Sequence, residues 1–324
     1  MIRKLALLGV TALALAATPV QAKTLKMIAS WAESNAMAYL PGAQLKKNIE
    51  AQGAGLEVEI QGPEAVPPFE QLAPASAGVF DILYTHPAYH DKAITNATNA
   101  MKADMDKIRS SGAFDVMDQF YQETHNLKLL ALVAVGDAGY HCYLREPLSD
   151  KGDWEGRKIR GVATYVPVIE ALGGAAVNTP MGEVYSGIER GVVDGACAPQ
   201  SVYRGTKHFE VAKYRTEPTF GQLVSYIAVN LDTWNGLTDA EKEAMNAAAI
   251  QTEKDTIRIG NEANQSDLKA VGEAGVEVTR FPDEVYAKVL EAYENGIWKL
   301  VSDCCGEETA NKLRQIADEN DLTQ

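Results

Sequence analysis

The run LKLLALVAV at residues 127–135 is apolar at every position but Lys128. A strand of that composition is buried on both faces, so helices must cover it above and below, as in the parallel sheets of α/β proteins. A second compact run, FDILYT at 80–85, follows Gly78, and LVSYIAVN at 223–230 is a third. Shorter strands are expected at 25–30, at 56–61 where apolar and polar residues alternate, at 157–161 and at 277–279. Helical stretches lie between them. Residues 41–52 place Pro41 in a first turn and Leu45 and Ile49 four apart on one face. Residues 180–190 start behind Thr179 as N-cap with Pro180 at the first position and stop at Gly191, burying Met181, Val184, Tyr185 and Ile188. Residues 238–274 are helix-forming throughout, with Gly260 the expected break. At 1.5 Å per residue that helix reaches about 50 Å, enough to pack on two lobes. Helices over 282–294 and 307–320 complete the pattern. Strands and helices alternate along the whole chain, the mark of an α/β architecture.

With 324 residues and roughly 150 per domain, two domains are expected. Hydrophobic residues make up 46% and charged residues 23%, as in ordinary globular proteins. The formal net charge of −14 repels polyanions, so nucleic acid is excluded as a partner. A small anion is not excluded, because a pocket's local field can oppose the net charge. The first 22 residues stand apart: Arg3 and Lys4, an uncharged apolar run at 5–17, Pro19, then Val20-Gln21-Ala22. This is the pattern of a cleaved secretory signal, and the run falls short of the about 20 residues that span a bilayer. The mature chain is therefore expected to be soluble and exported. Export places Cys142, Cys197, Cys304 and Cys305 in an oxidising compartment, where three pairings or free thiols all remain open.

Enzymatic signatures are missing. No phosphate-binding glycine loop, G-x-S-x-G elbow or H-E-x-x-H occurs. No C-x-x-C occurs, and among the histidines only His86 and His90 have helix-ligand spacing, so no metal, cofactor or catalytic residue is assigned. A two-lobed α/β protein without a reaction centre points to capture of a small molecule.

The order of several short motifs resembles one family. WEGRKIR at 154–160, EVY at 183–185, GVVDG at 191–195 and FEVAKY at 209–214 follow one another as in solute-binding proteins of tripartite ATP-independent periplasmic (TRAP) transporters. GVFD at 78–81 and the stretch 230–249, with Trp234, match as well. The resemblance implies a two-lobed periplasmic-binding-protein fold with crossing strands and a long lobe-spanning helix. It implies lobe one over 23–139 plus 229–268 and lobe two over 140–228 plus 269–324. It also implies a periplasmic receptor that captures an organic-acid anion between its lobes. That receptor is expected to be a monomer and to deliver its ligand to a small and a large membrane subunit.

Arg160 matches the family's carboxylate-binding arginine, and a guanidinium can hold a carboxylate by two parallel charge-assisted hydrogen bonds. Ala198 stands where many relatives carry a polar residue, often Asn, leaving Gln200, Ser201 or Tyr203 to substitute. Tyr140 and His141 stand where some relatives place a second arginine, and His86 where sialic-acid-binding relatives carry an acid. A different polar pattern in the ligand is implied. The aromatics Trp31, Tyr84, Tyr89, Tyr140, Tyr165 and Phe220 fall on expected cleft loops, Trp31 and Phe220 foremost. If several line the site, the acid carries an apolar or aromatic body. Asp194 and Glu183 are expected to serve structure.

Overall fold

The computed structural model describes residues 22–323, so the expected leader, apart from Ala22, lies outside the described residues. Two sheets form the frame. The first has the order β2-β1-β3-β10-β4, built from Lys23–Ala29 (β1), Leu56–Gln61 (β2), Ile82–Thr85 (β3), Leu127–Val133 (β4) and Ser225–Asn230 (β10). The second has the order β11-β9-β5-β8-β6-β7, from His141–Leu144 (β5), Lys158–Arg160 (β6), Ala175–Val177 (β7), Gly195–Ala198 (β8), Tyr214–Glu217 (β9) and Glu277–Arg280 (β11).

The apolar run of β4 feeds two cores. Leu127, Leu129 and Leu132 pack with Phe114, Met117 and Tyr121 of the helix Ala113–His125. Leu130, Ala131 and Val133 pack with Met245, Ala248 and Ala249 of the helix Asp239–Glu273. Coverage on both faces is as expected, but the direction is not. Among the described residues β4 pairs only with β10, and that pairing is antiparallel. Burial alone dictates an apolar run, whichever way the neighbour points. Strands β1, β2 and β3 are parallel, as are β6, β7 and β8.

Three connections carry the chain between the sheets, two of them short, after β4 and after β9, and the third through the helix Asp239–Glu273 after β10. The two short ones meet in an antiparallel bridge, with Tyr140 N donating to Phe220 O at 2.8 Å and Phe220 N to Tyr140 O at 3.2 Å. The helix Asp239–Glu273 then runs unbroken for 35 residues, about 50 Å. Thr238 and Glu241 close a capping box at its start. Arg109 holds Glu253 with two bonds of 2.9 and 2.7 Å on the side of the first sheet, and Arg204 pairs with Asp267 on the side of the second. Gly260, expected to break this helix, instead lets it touch the crossing segment. A Cβ there would meet Gly136 N at 2.1 Å and Val135 C at 2.3 Å.

Other boundaries shift for identifiable reasons. Pro41 lies inside the helix Ala36–Ala51, not in its first turn. The expected helix at 180–190 begins as a 3-10 turn, Met181–Glu183, before the helix Val184–Glu189. Thr179 does not cap it: Pro180 precedes the 3-10 turn, and the Thr179 hydroxyl donates to Glu183 Oε2 at 2.8 Å. β10 belongs whole to the first sheet, whereas the boundary expected at 228/229 cuts through it. The C-terminal helices Asp283–Cys305 and Glu307–Glu319 pack against both halves, on 94–100 and 113–125 as well as on 166–171.

The cysteines pair as Cys142–Cys197 and Cys304–Cys305. The first bond joins register partners on β5 and β8 across a separation of 55 residues. Cross-linking a loop of that size constrains the unfolded chain, whereas adjacent residues close almost none. Replacing Cys142 and Cys197 together by Ser is expected to cost about 2–4 kcal/mol in urea unfolding, and the same exchange at Cys304 and Cys305 to leave the midpoint nearly unmoved. Equal effects would contradict the loop account.

Burial also holds four histidines neutral. His86 is pushed down to about 3, and His90, His141 and His208 to about 4. Unfolded, each titrates near 6.5. The unfolded chain thus binds more protons between these values, so stability is full above about pH 6.5 and is lost as pH falls toward 4. Each histidine adds up to about 1.4 kcal/mol per pH unit. Urea midpoints should fall steadily from pH 7 to pH 5, and a flat series would show these side chains to be solvated.

Candidate functional site

The site gathers at the carboxyl ends of parallel strands, where crevices between strand ends and following loops accept ligands. Trp31 lies two residues beyond β1, His86 directly follows β3, Arg160 ends β6 and Pro199 follows β8. An inner cavity of about 30 Å³ lies among them, bounded by Trp31, Tyr84, His86, Tyr89, Arg160 and Tyr165, with Met181, Pro199, Val202, Leu223 and Ser225 completing much of the wall. It shares Trp31, Tyr89 and Met181 with an outer groove of about 630 Å³, whose rim includes Pro63, Pro67, Glu183, Lys207 and His208.

Arg160 is 1% exposed. Its Nε and Nη2 both donate to the carbonyl oxygen of Thr179, at 2.9 and 2.7 Å. The fork expected to hold a carboxylate along that edge is thus engaged with the protein's own backbone. A guanidinium has five N–H donors, so both hydrogens of Nη1 and the second of Nη2 remain, forming the end-on edge. A charge this deeply buried is costly unless paired, and none of the hydrogen bonds among the described residues uses Nη1.

His86 is fixed from behind. Its Nδ1 accepts from Ala88 N at 3.1 Å in the turn Pro87–Tyr89. That assigns the ring proton to Nε2, which is buried, meets no acceptor at full hydrogen-bond geometry and lies beside the Asn99 side chain. Burial, reinforced by the positive charge of Arg160, keeps the ring neutral down to about 3. The aromatic wall is interlocked: the Trp31 ring lies 4.8 Å from Tyr84 and 5.9 Å from Tyr89, and Tyr89 lies 5.7 Å from His86. Tyr84 donates its hydroxyl to Ala38 O at 2.7 Å, anchoring the wall to the helix Ala36–Ala51.

Trp31, His86, Tyr89, Arg160 and Tyr165 thus come together, and Tyr84 with them. Tyr140, Ala198 and Phe220 do not reach the cavity. Tyr140 stands edge-on behind Tyr165 at 4.6 Å, and Phe220 packs on Tyr140 and on Tyr293. Their backbones form the bridge between crossing segments, which turns both rings into the core. Ala198 pairs with His141 inside the second sheet, and Pro199 takes the wall position. Of the proposed substitutes, Gln200 accepts from Tyr143 OH at 2.7 Å while its Nε2 is buried without a partner, Tyr203 donates to Ala212 O, and neither lines the inner cavity. Asp194 accepts from Lys158 N at 2.8 Å and so fastens β6. The apolar contributors Met181, Val162 and Leu223 carry no sequence signal beyond hydrophobicity. Pro199 could have been found as the residue ending a buried strand. Among the described residues no group of three or more His, Cys, Asp or Glu is placed to hold a metal.

Comparison with known proteins places this geometry. The sequence profile of bacterial extracellular solute-binding protein family 7 matches residues 96–302. The ectoine-binding periplasmic protein TeaA of Halomonas elongata is 26% identical over 57% of this chain and 56% of its own. The C4-dicarboxylate-binding periplasmic protein DctP of Rhodobacter capsulatus is 30% identical over 52% of this chain and 48% of its own. The chain spans about half the length of the curated relatives it matches. A solved TRAP periplasmic solute-binding protein from Desulfovibrio desulfuricans, with bound sn-glycerol-3-phosphate, superimposes with a TM-score of 0.79 at 17% identity, over 93% of this chain and 98% of that one. The fold is the two-lobed α/β fold of those receptors, and the chain belongs to bacterial extracellular solute-binding protein family 7.

Proposed function

We propose that this protein is the periplasmic receptor of a TRAP transporter, which captures a small organic-acid anion between its lobes and hands it to the membrane subunits. The observation that carries this is Arg160: a buried cation at the strand ends, braced by Thr179 O, with donors left over beside an aromatic wall. Such an arrangement offers strong, oriented hydrogen bonds to a carboxylate. The family match and the solutes bound by its relatives support the same reading.

The cavity also implies movement. Its walls of Trp31, Tyr84, His86, Arg160 and Tyr165 are all buried. Entry therefore requires the lobes to part along the outer groove, with bending at the bridged crossing segments. Binding then favours the shut state because both lobes touch the ligand only there.

Arg160→Lys is expected to keep the fold, seen by circular dichroism, and to weaken acid binding in calorimetry at least tenfold, about 1.4 kcal/mol. An ammonium keeps the charge but loses the planar fork that spans Thr179 and the ligand. Unchanged affinity in a folded variant would remove Arg160 from the site.

A further inference from the structure

We propose that the ligand is a monocarboxylate with an uncharged, apolar body, and that His86 donates its Nε2 hydrogen to the polar end that Arg160 grips. This deepens the receptor reading and rests on it. The first ground is charge. Arg160 is the one ionised side chain among the described residues lining the inner cavity, because His86 is neutral there. One fixed positive charge balances one carboxylate. A second carboxylate would enter a wall without a second cation, and a ligand ammonium would find no acid. The nearest acidic group of the groove, Glu183, is exposed at the rim and accepts from Thr179 Oγ1. Uncompensated charge in such surroundings is strongly disfavoured.

The second ground is the His86 donor. His86 is 2% exposed and its Nδ1 is occupied by Ala88 N; its Nε2 meets no acceptor at full hydrogen-bond geometry, with the Asn99 side chain beside the ring. A buried N–H without an acceptor is rare in folded proteins, and the cavity that His86 shares with Arg160 is where an acceptor would sit. The third ground is the remaining wall. Trp31, Tyr84, Tyr165, Val162, Met181 and Leu223 present rings and alkyl groups, with Tyr89 and Ser225, the latter paired with Tyr84, as polar members. Tyr84 already gives its hydroxyl to Ala38 O. A polyhydroxylated acid would leave most of its hydroxyls unpaired, whereas an alkyl or aryl chain fits.

Calorimetry of the purified protein against 4-methylpentanoate, phenylacetate, succinate, ectoine and glucuronate tests this. One of the first two is expected to bind at least tenfold more tightly than any of the last three. Tighter or equal binding of succinate, ectoine or glucuronate overturns the inference and leaves the receptor reading standing. Absence of binding by all five, with no rise in melting temperature, overturns both. His86→Asn retains an oxygen that can accept from Ala88 N but removes the far donor. It should weaken the preferred acid about tenfold at unchanged melting temperature. Undiminished affinity would take His86 out of the site.

Discussion

The structure depends on holding a guanidinium where water cannot easily reach it. Arg160 is almost fully buried, and its charge is tolerable only because one edge is chelated by the Thr179 carbonyl. That brace fixes the plane of the fork, so in the proposed receptor role little rotamer entropy would remain to be lost on binding. Thr179 faces Arg160 with its carbonyl and Glu183 with its hydroxyl, at the start of the 3-10 turn Met181–Glu183.

The rest of the fold serves that position. β6 is held in register by Asp194 and flanked by parallel β7 and β8, so the strand delivers Arg160 to the seam between the sheets. From the other sheet, β1 and β3 deliver Trp31 and His86 to the same seam. The crossing segments meet at Tyr140 and Phe220, and the helix Asp239–Glu273 presses on one of them where Gly260 carries no side chain. A single rod tied to one lobe through Glu253 and to the other through Asp267 limits how the halves can separate. The disulfide Cys142–Cys197 stiffens the second sheet beside the site.

Much of this is legible in the sequence, and the pattern of success is physical. Apolar runs mark strands, and Trp31 is placed as a residue just past one; Arg160 and His86 are placed by the family resemblance, since by spacing alone Arg160 reads as a surface residue at a strand end, and the structure brings all three to one cavity. Tyr89 and Tyr165 follow from the same loops. Tyr140 and Phe220 could not be placed, because only the backbone bridge decides that their rings turn inward, and an aromatic looks the same in a core or a cleft. The Thr179 carbonyl is invisible because any residue has one. The antiparallel pairing of β4 is likewise hidden, since burial on both faces makes the same apolar run in either direction. The cysteine pairs depend on which strands become neighbours, which spacing alone does not specify.

The central claim, that one braced cation receives the ligand's acid group between the lobes, is tested most directly by a crystal structure with a tightly bound acid. Its carboxylate is predicted to lie against Nη1 and Nη2 of Arg160 while Nε stays on Thr179 O. A ligand seated in the outer groove, or an Arg160 side chain turned away from it, would contradict the account.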